Sequence, residues 1–363
     1  MMKRVLICGF TDNVGGMESY VMNIYRRIDR TKLQFDFIDL VSGKMAYSDE
    51  IRKLGGNIIT VPQRREDLKK HNAIMNELFC NTKYEGIYYQ CNRRLRTLEF
   101  FKLAKKYNVP KRVIHSHNTQ ESNPGTVANL RIALCSKTMN NYVTDRWACS
   151  EDAGKWMFNG SSYTVINNGV DTGKYAFDEK TRKEIRESYN AVDYTVLGTV
   201  GRISPEKNPD FLVDLFSIYH KENPNSIFLH IGDGELVSHI KEKISDLGLS
   251  DSYLLLGRKS DVDRYINAMD AFLLPSIHEG FPIVLVEAQA NGLRCMVSNK
   301  VTSSTDLTGL VEFLPINDPK EWADSIGDSK EIDRSTYSEV IREKKYSIND
   351  TAKQVFDYFV SDK

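Results

Sequence analysis

The sequence predicts an α/β protein of two doubly wound domains, each built on a parallel sheet. Short apolar runs alternate with longer amphipathic stretches along the whole chain, which is the pattern of repeated strand–helix–strand units. The turn-rich segment N-N-G-V-D-T-G, residues 167–173, interrupts this alternation, and the pattern then starts again. The length of 363 residues also suits two domains. We therefore expect a first domain over 1–166, a second over 167–345, and a C-terminal helix over 346–363 that could cross back to the first domain.

Each predicted strand is a short run of apolar and β-branched residues. The strands of the first domain are expected at 4–8, 35–40, 57–61, 86–90, 112–115 and 147–149, and those of the second at 194–200, 227–231, 253–256, 271–274, 295–297 and 312–314. Each predicted helix has apolar residues at intervals of three and four. The helices are expected at 19–28, 49–54, 67–80, 95–107, 210–220, 235–247, 261–268, 282–290 and 349–359.

The composition excludes several classes of protein. With 41% hydrophobic and 27% charged residues, the chain is neither disordered nor fibrous. It lacks an apolar run of about 20 residues that could span a membrane, and its N-terminus does not resemble a signal peptide. The six cysteines are far apart, so we predict buried thiols in a reducing cytosol rather than disulfides or a zinc site. The expected location is cytoplasmic, and no nucleic-acid partner is expected.

The formal charge of zero results from two oppositely charged halves. Residues 1–165 carry 26 basic and 16 acidic side chains, whereas residues 166–363 carry 23 basic and 33 acidic ones. The basic half could hold the protein on anionic lipid at the inner face of the cell membrane. The alternative is that its cations lie on ordinary solvated helix faces. The clusters concerned are Arg64-Arg65, Lys69-Lys70, Arg93-Arg94-Arg96 and Lys105-Lys106.

The segment from Pro275 to Asn291, P-S-I-H-E-G-F-P-I-V-L-V-E-A-Q-A-N, follows an apolar strand and enters a helix. Pro282 suits the first turn of that helix because its fixed φ angle fits there. Free backbone N–H groups at the helix N-terminus would bind an anion such as a phosphate. The N–H groups in question belong to Gly280, Phe281 and Ile283.

Two glutamates lie along the same helix start. Glu279 precedes it, and Glu287 lies roughly 7 Å along the axis from Pro282, at about 1.5 Å per residue. Two carboxylates so spaced could bind hydroxyls on two parts of one extended ligand, such as a sugar and a ribose. The alternative is that Glu279 caps the helix and Glu287 is an ordinary surface acid.

The loop V-G-R-I-S-P-E-K-N-P, residues 200–209, places two cations after a strand. Arg202 and Lys207 both precede the next helix, whose start is marked by Pro209. The planar guanidinium and the compact ammonium suit a diphosphate, and they would stabilise a departing nucleoside diphosphate. The alternative is a solvated loop.

The first domain has two further candidate segments at strand ends. Gly15 and Gly16 would let the backbone approach a ligand at a helix start, although a plain turn is the alternative. The spacing is not G-x-G-x-x-G and no Walker-type lysine follows, so a dinucleotide site or a P-loop is not supported. In R-V-I-H-S-H-N-T-Q, residues 112–120, His117 suits a sugar hydroxyl, with His115 as second choice, and no acid or cysteine completes a metal site.

One motif is discounted. Asp261-Val262-Asp263 spells D-x-D, a pattern that can bind a metal. It follows a strand end and opens a helical pattern, where Asp261 or Ser260 would make a good N-cap. We therefore predict a structural role and no metal.

In combination these segments resemble one family, the retaining GT-B glycosyltransferases with an E-x7-E signature, known as glycosyltransferase family 4 or glycosyl transferases group 1. The likeness runs in order over almost the entire chain. It rests on E-G-F-P-I-V-L-V-E, V-G-R-I-S-P-E-K-N, N-N-G-V-D, H-I-G-D-G-E, L-L-L-G-R, G-G-M-E-S-Y and H-S-H-N. The sequence departs from the pattern at Tyr88–Asn92, where many relatives have a histidine-containing motif.

The resemblance implies two Rossmann-like domains that face each other across a cleft, with the donor held mainly by the second and the acceptor by the first. By position, Glu287 would bind the ribose, Glu279 the donor sugar, and Arg202 and Lys207 the diphosphate. The implied catalytic residues are Glu279, His117, Arg202 and Lys207. The implied donor-binding residues are Gly16, Arg202, Lys207, Arg258, Glu279, Gly280, Phe281, Pro282, Ile283 and Glu287.

We therefore expect a retaining glycosyltransferase that needs no metal or cofactor. It would move a sugar from a nucleoside diphosphate, with UDP favoured, to a lipid-linked or cell-surface glycan, as in capsule and exopolysaccharide synthesis. Three alternatives stay open at this point: a sugar-nucleotide epimerase or phosphorylase, a non-catalytic GT-B partner subunit, and a flavin or NAD oxidoreductase. The presence of both glutamates and both cations favours an active enzyme over a non-catalytic partner subunit.

Overall fold

The computed structural model describes residues 2–12, 14–40, 43–95, 97–119, 125–327 and 332–362. The chain divides into two compact units. The N-terminal unit comprises residues 1–169 and 348–363, and the C-terminal unit comprises residues 170–347. The predicted boundaries, after 166 and after 345, lie within a few residues of these. Among the described residues, no helix combines the length and the apolar character needed to cross a membrane.

The N-terminal unit contains a seven-stranded parallel sheet in the order β3-β2-β1-β4-β5-β6-β7. Its strands are β1 (Lys3–Cys8), β2 (Leu33–Asp39), β3 (Ile58–Thr60), β4 (Gly86–Cys91), β5 (Lys111–Ser116), β6 (Asp145–Ala148) and β7 (Thr164–Val165). Its helices are α1 (Gly16–Tyr25), α2 (Ser48–Lys53), α3 (Leu68–Asn81), α4 (Glu99–Lys106), α5 (Thr126–Thr138), α6 (Glu151–Phe158) and, from the end of the chain, α14 (Ile348–Val360).

Burial on both faces explains why β1 reads as a continuous apolar run from Val5 to Cys8. In β1, Val5 and Ile7 join one core, whereas Leu6 and Cys8 join the core on the opposite face. The helix α14 packs against α1, β1 and β2, and Phe359 is fully buried in the same core as Val5 and Ile7. The C-terminal helix is therefore part of the N-terminal unit.

The C-terminal unit contains a six-stranded parallel sheet in the order β10-β9-β8-β11-β12-β13. Its strands are β8 (Thr195–Val200), β9 (Ser226–Ile231), β10 (Tyr253–Gly257), β11 (Ala271–Leu274), β12 (Arg294–Ser298) and β13 (Val311–Leu314). Its helices are α7 (Glu179–Ser188), α8 (Pro209–Glu222), α9 (Val237–Asp246), α10 (Val262–Ala268), α11 (Ile283–Ala290), α12 (Pro319–Gly327) and α13 (Tyr337–Glu343). Two doubly wound parallel sheets confirm the predicted fold class.

Several local predictions need correction. The predicted helices omit α5, α6, α7, α12 and α13. Pro282 is the N-cap of α11 rather than a residue of its first turn, because its ψ of 107° is extended. The helix predicted to start at residue 95 begins only at Glu99, and Arg96 lies outside the described residues. The cysteines are buried as predicted except Cys80, which is exposed near the end of α3, where its thiol lies 3.5 Å from the Tyr107 hydroxyl.

Glycines allow the strand ends of the C-terminal sheet to approach one another closely. Gly232, which follows β9, has a φ of +149°, and a Cβ atom there would lie 1.8 Å from the carbonyl oxygen of Gly201. The amide of Gly201 donates to Ile231, and the amide of Gly232 donates to Gly257. These bonds connect the loops that follow β8, β9 and β10 at one edge of the sheet.

We expect Gly232→Ala to destabilise the protein by about 3 kcal/mol, because it adds both backbone strain and a steric clash. Gly248→Ala is the matched control, since Gly248 has a φ of +68° with no atom within 4 Å of the added Cβ. That control should cost only about 1 kcal/mol. Urea unfolding of both variants measures the difference, and equal destabilisation would contradict the close approach at Gly232.

Candidate functional site

The order of strands in the C-terminal sheet defines a switch point between β8 and β11. The chain proceeds outward from β8 through β9 and β10, then returns to β11 on the other side. In open α/β sheets, ligands bind beside the carboxyl ends of the strands at such a point. The two loops that meet there carry Arg202 and Lys207 on one side and Glu279 on the other.

An ion pair joins the two loops across this switch point. The Lys207 ammonium pairs with the Glu279 carboxylate, and the Ser276 hydroxyl donates to the same carboxylate oxygen at 2.8 Å. The amide of Ile277 donates to the carbonyl of Glu206 at 2.9 Å, which adds a backbone contact between the loops. Both charged groups are mostly buried, with 24% of the Lys207 side chain and 13% of the Glu279 side chain exposed.

Arg202 lies in the same loop as Lys207 but is exposed. The loop turns through a single 3-10 turn, Pro205–Lys207, before α8 begins. Among the described residues, no acidic side chain forms an ion pair with Arg202. Its guanidinium is therefore free to contact an anion at the switch point without first breaking a salt bridge.

The start of α11 presents unpaired backbone donors beside Glu279. Within the described part of the chain, no carbonyl accepts from the amides of Gly280, Phe281 or Ile283. The Phe281 side chain is buried, and its ring stacks on Tyr346 with centroids 5.5 Å apart. This stacking holds the loop at the helix N-terminus, where orphan N–H groups favour a negative charge.

Glu287 lies further along α11 and is partly buried. Burial raises the pKa of Glu287 to about 7, whereas a hydrogen bond from Tyr175 and the charge of Lys174 act in the opposite direction. Asn291, at the end of α11, donates to the carbonyl of Tyr175 at 3.0 Å, so the Tyr175 segment is fixed to the helix. The carboxyl group of Glu287 is thus placed by its neighbours and close to titration at neutral pH.

Arg258, another of the predicted donor-binding residues, is exposed. It follows β10, and its Nε atom lies 3.6 Å from Asp233 Oδ2 at the end of β9. Asp233 belongs to the H-I-G-D-G-E turn, where a Cβ on Gly234 would lie 2.3 Å from the Ile203 carbonyl. This edge of the sheet is therefore continuous with the loop that carries Arg202.

In the N-terminal unit, Gly16 is the first residue of α1 and Gly15 is its N-cap. The buried Glu18 carboxylate accepts from the Thr11 hydroxyl at 2.6 Å and from the Thr11 amide at 3.3 Å. It therefore fixes the loop before α1 and balances part of the positive potential at the helix start. Glu18 was missed by the sequence reasoning, although a glutamate at the third helical position is a known capping signal.

His117 follows β5 and is held by a side chain at the end of β4. Its Nε2 atom lies 2.7 Å from Gln90 Oε1, and its ring lies 4.2 Å from that of His115. Burial lowers the pKa of His117 to about 3, so the ring is neutral at physiological pH. Because Nε2–H donates to Gln90, the Nδ1 atom is left as an acceptor, and it has no hydrogen-bond partner in the described structure.

His115, the second choice for the sugar contact, is fully buried. Its Nδ1 atom bonds to the Tyr88 hydroxyl at 2.6 Å, and the Tyr88 hydroxyl lies 3.1 Å from that of Tyr20. The ring therefore belongs to the core under the strand end. Of the two histidines, only His117 retains some solvent exposure.

Both acids of the D-x-D motif lie at the start of α10. Asp261 is the N-cap, although its side chain makes no capping hydrogen bond, and Asp263 pairs with Lys174 at 3.1 Å. In the described ranges, no group of three or more acidic, histidine or cysteine side chains could hold a metal ion.

Among the predicted site residues, the structure places Arg202, Lys207, Glu279 and the start of α11 together, with Glu287 deeper along the helix.

Sequence reasoning also missed the residues that support these groups. Ser276 stands three residues before Glu279, and its contact depends on the loop conformation. Tyr175 lies far from Glu287 in the sequence, and Gln90 lies far from His117. No local sequence pattern therefore predicts these contacts. The alternation of strands and helices predicts that a switch point exists. It does not give the strand order, which places that point between β8 and β11.

The fold and the site define a class: proteins with two doubly wound parallel-sheet units and with cations and carboxylates at the switch point of the second sheet. Comparison with known proteins gives the family. Residues 181–343 match the model of "Glycosyl transferases group 1". The protein named "Putative glycosyltransferase EpsF" of Bacillus subtilis (strain 168) is 32% identical over 340 residues, which cover 89% of this chain and 87% of EpsF. The chain belongs to the group 1 glycosyltransferases.

Two other similar proteins have more specific names. A UDP-Gal:alpha-D-GlcNAc-diphosphoundecaprenol alpha-1,3-galactosyltransferase of Escherichia coli is 38% identical over 146 residues, covering 38% of this chain and 36% of that protein. The crystal structure of Anabaena HepE in complex with UDP and glucose has a TM-score of 0.76 at 18% identity. It covers 98% of this chain and 99% of HepE, and at this identity it supports the GT-B fold alone.

Proposed function

We propose that this chain is a retaining glycosyltransferase that uses a nucleoside-diphosphate sugar, with a UDP-sugar as the first candidate. The acceptor would be a lipid-linked or cell-surface glycan in polysaccharide synthesis. The observation that carries the proposal is the Lys207–Glu279 ion pair across the switch point, beside the unpaired Arg202. The C-terminal unit carries 21 basic and 30 acidic residues, so these cations are local exceptions in a unit that otherwise repels a diphosphate.

In the proposed mechanism, Arg202, Lys207 and the amides at the start of α11 bind the diphosphate. Glu279 binds hydroxyls of the donor sugar, and Glu287 binds those of the ribose. The bond between the anomeric carbon and the phosphate oxygen breaks while the acceptor oxygen bonds to the same face of the sugar. The acceptor proton passes to the departing phosphate oxygen, so no separate general base is needed. The cations lower the barrier by stabilising the negative charge that develops on the leaving group.

The N-terminal unit would supply the acceptor site. A cavity of about 270 Å³ at its own switch point, between β1 and β4, is lined by Gly9, Gln90, Arg93 and Arg94 among others. His117, whose Nδ1 atom is buried and has no hydrogen-bond partner in the described structure, bonds to Gln90 at the end of β4. We propose that His117 contacts the donor sugar, and that Gly16 contacts the donor phosphates.

Hydrolysis and transfer across a panel of UDP- and GDP-sugars test this function. We expect slow hydrolysis of one UDP-sugar without acceptor, full activity after treatment with a metal chelator, and an axial or equatorial product linkage that matches the donor in NMR spectra. Isomerisation of the donor sugar would identify an epimerase instead. Absence of any nucleotide binding in calorimetric titration would identify a non-catalytic subunit, and inverted product stereochemistry would contradict retention.

A further inference from the structure

The helix α5 exposes an apolar face that the other described residues do not cover. Val127, Leu130 and Leu134 are 68%, 62% and 55% exposed. These three account for a third of the nine large apolar side chains that are exposed among the described residues. At about 100° per residue, Leu134 lies roughly 20° from Val127 and roughly 40° from Leu130 around the helix. The three side chains therefore form one continuous stripe, which we call the α5 face.

The side of α5 opposite the α5 face packs against the core and holds the helix in place. Ile132 and Cys135 are buried, and Cys135 belongs to the core of the N-terminal unit together with Met139. The helix is thus apolar on two sides, one packed against the core and one facing outward. A contiguous apolar stripe on the outer side of a helix marks a surface suited to a second apolar environment.

Cations lie on both sides of the α5 face. At about 100° per residue, Arg131 is roughly 60° from Leu134 in one direction and Lys137 is roughly 60° in the other. No acidic residue occurs in α5. Earlier in the chain, in α4, the ammonium groups of Lys102 and Lys105 lie 5.4 Å from the ring centre of Tyr142. An apolar stripe with cations on both edges is the arrangement of helices that lie in the surface of an anionic bilayer.

The net charge of the N-terminal unit also favours an anionic bilayer as the partner of the α5 face. The N-terminal unit carries 28 basic and 19 acidic residues, so its surroundings favour an anionic partner. Two residues of the basic clusters predicted to bind lipid already have partners. Arg64 pairs with Glu99, and the Arg94 guanidinium lies over the Trp156 ring at 5.2 Å. Three side chains are also far short of the roughly 800 Å² per partner that a stable dimer buries.

We infer that the α5 face docks the N-terminal unit onto the surface of an anionic phospholipid bilayer, with Val127, Leu130 and Leu134 inserted between the headgroups. Arg131 and Lys137 then contact lipid phosphates on either side. The inference does not require the proposed function, because vesicle binding is measured without any sugar substrate.

The test is co-sedimentation of the full chain with phosphatidylcholine vesicles that contain about one third phosphatidylglycerol. The triple variant Val127→Ser, Leu130→Ser, Leu134→Ser should bind at least about 30-fold more weakly, because each inserted side chain contributes to partitioning. The double variant Val192→Ser, Leu247→Ser is the matched control, since both residues are exposed apolar residues of the C-terminal unit. It should bind like the unchanged protein.

A second variant tests the electrostatic part. Arg131→Gln, Lys137→Gln should bind about tenfold more weakly and lose much of its salt dependence. Circular dichroism and thermal unfolding check that every variant stays folded, and nucleotide binding on the same samples reports separately on the donor site. The inference is overturned if the unchanged protein ignores anionic vesicles, or if the triple variant binds them equally well. It is also overturned if sedimentation velocity shows a dimer that the triple variant loses.

Discussion

Replacement of Arg202 by alanine is expected to lower kcat/KM for sugar transfer at least a hundredfold, which corresponds to about 3 kcal/mol of lost transition-state stabilisation. Arg202 is exposed at the switch point beside Lys207, and within the described structure no carboxylate pairs with it. Its charge is therefore available for the leaving diphosphate. Because negative charge on the leaving group grows during bond cleavage, we expect most of the loss in kcat rather than in KM.

Steady-state kinetics with a range of donor concentrations measure this split. Arg202→Lys keeps the charge but loses the planar fork, so its activity should lie between those of the unchanged protein and the alanine variant. Lys221→Ala, which removes an exposed cation near the end of α8, is the matched control and should be neutral. Normal turnover of both Arg202→Ala and Glu287→Ala would reject the assignment of the switch point as the donor site. Loss of folding is not expected, since the Arg202 side chain makes no ion pair within the described ranges.

The fold was predictable because its signal repeats. Inner strands such as β9 and β11 are buried on both faces of a parallel sheet, and each is a short apolar run that stands out between amphipathic stretches. The helix α5 shows where this reasoning fails. Its apolar residues lie on a core side, with Ile132 and Cys135, and on the outward α5 face, so no single stripe with a helical period appears. The second apolar side, which prevented the prediction of α5 from the sequence, is also the observation that suggests its role.

The site was predictable where local spacing decides the geometry. Arg202, Lys207 and Glu279 each follow a strand, and parallel strands bring such positions to one edge of the sheet. The partners of these residues were not predictable, since Gln90 reaches His117 and Tyr175 reaches Glu287 only after the chain has folded. The pKa of Glu287 likewise depends on burial that the E-x7-E spacing does not encode.

The binding of a UDP-sugar is expected to depend on pH through Glu287. Burial holds the pKa of this carboxyl at about 7 in the free protein, so about half of the molecules carry a proton there at neutral pH. Ribose hydroxyls would donate to the ionised carboxylate, and this favours its charged form in the complex. Affinity should therefore increase as the pH is raised, by about tenfold per unit up to pH 7, and then level off. Below pH 7, binding should release a proton.

Calorimetric titration in buffers with different heats of ionisation counts that proton. A UDP-sugar is the right ligand, because free UDP has a terminal phosphate that itself titrates near pH 6. Glu287→Gln should bind at least about tenfold more weakly at pH 8, since hydrogen bonds to a charged group contribute about 1.5–3 kcal/mol. Its binding should also no longer change with pH. Glu242→Gln, an exposed glutamate of α9, is the control and should keep the full pH dependence. If Glu287→Gln retains the pH dependence, another group titrates, and the ribose contact assigned to Glu287 is wrong.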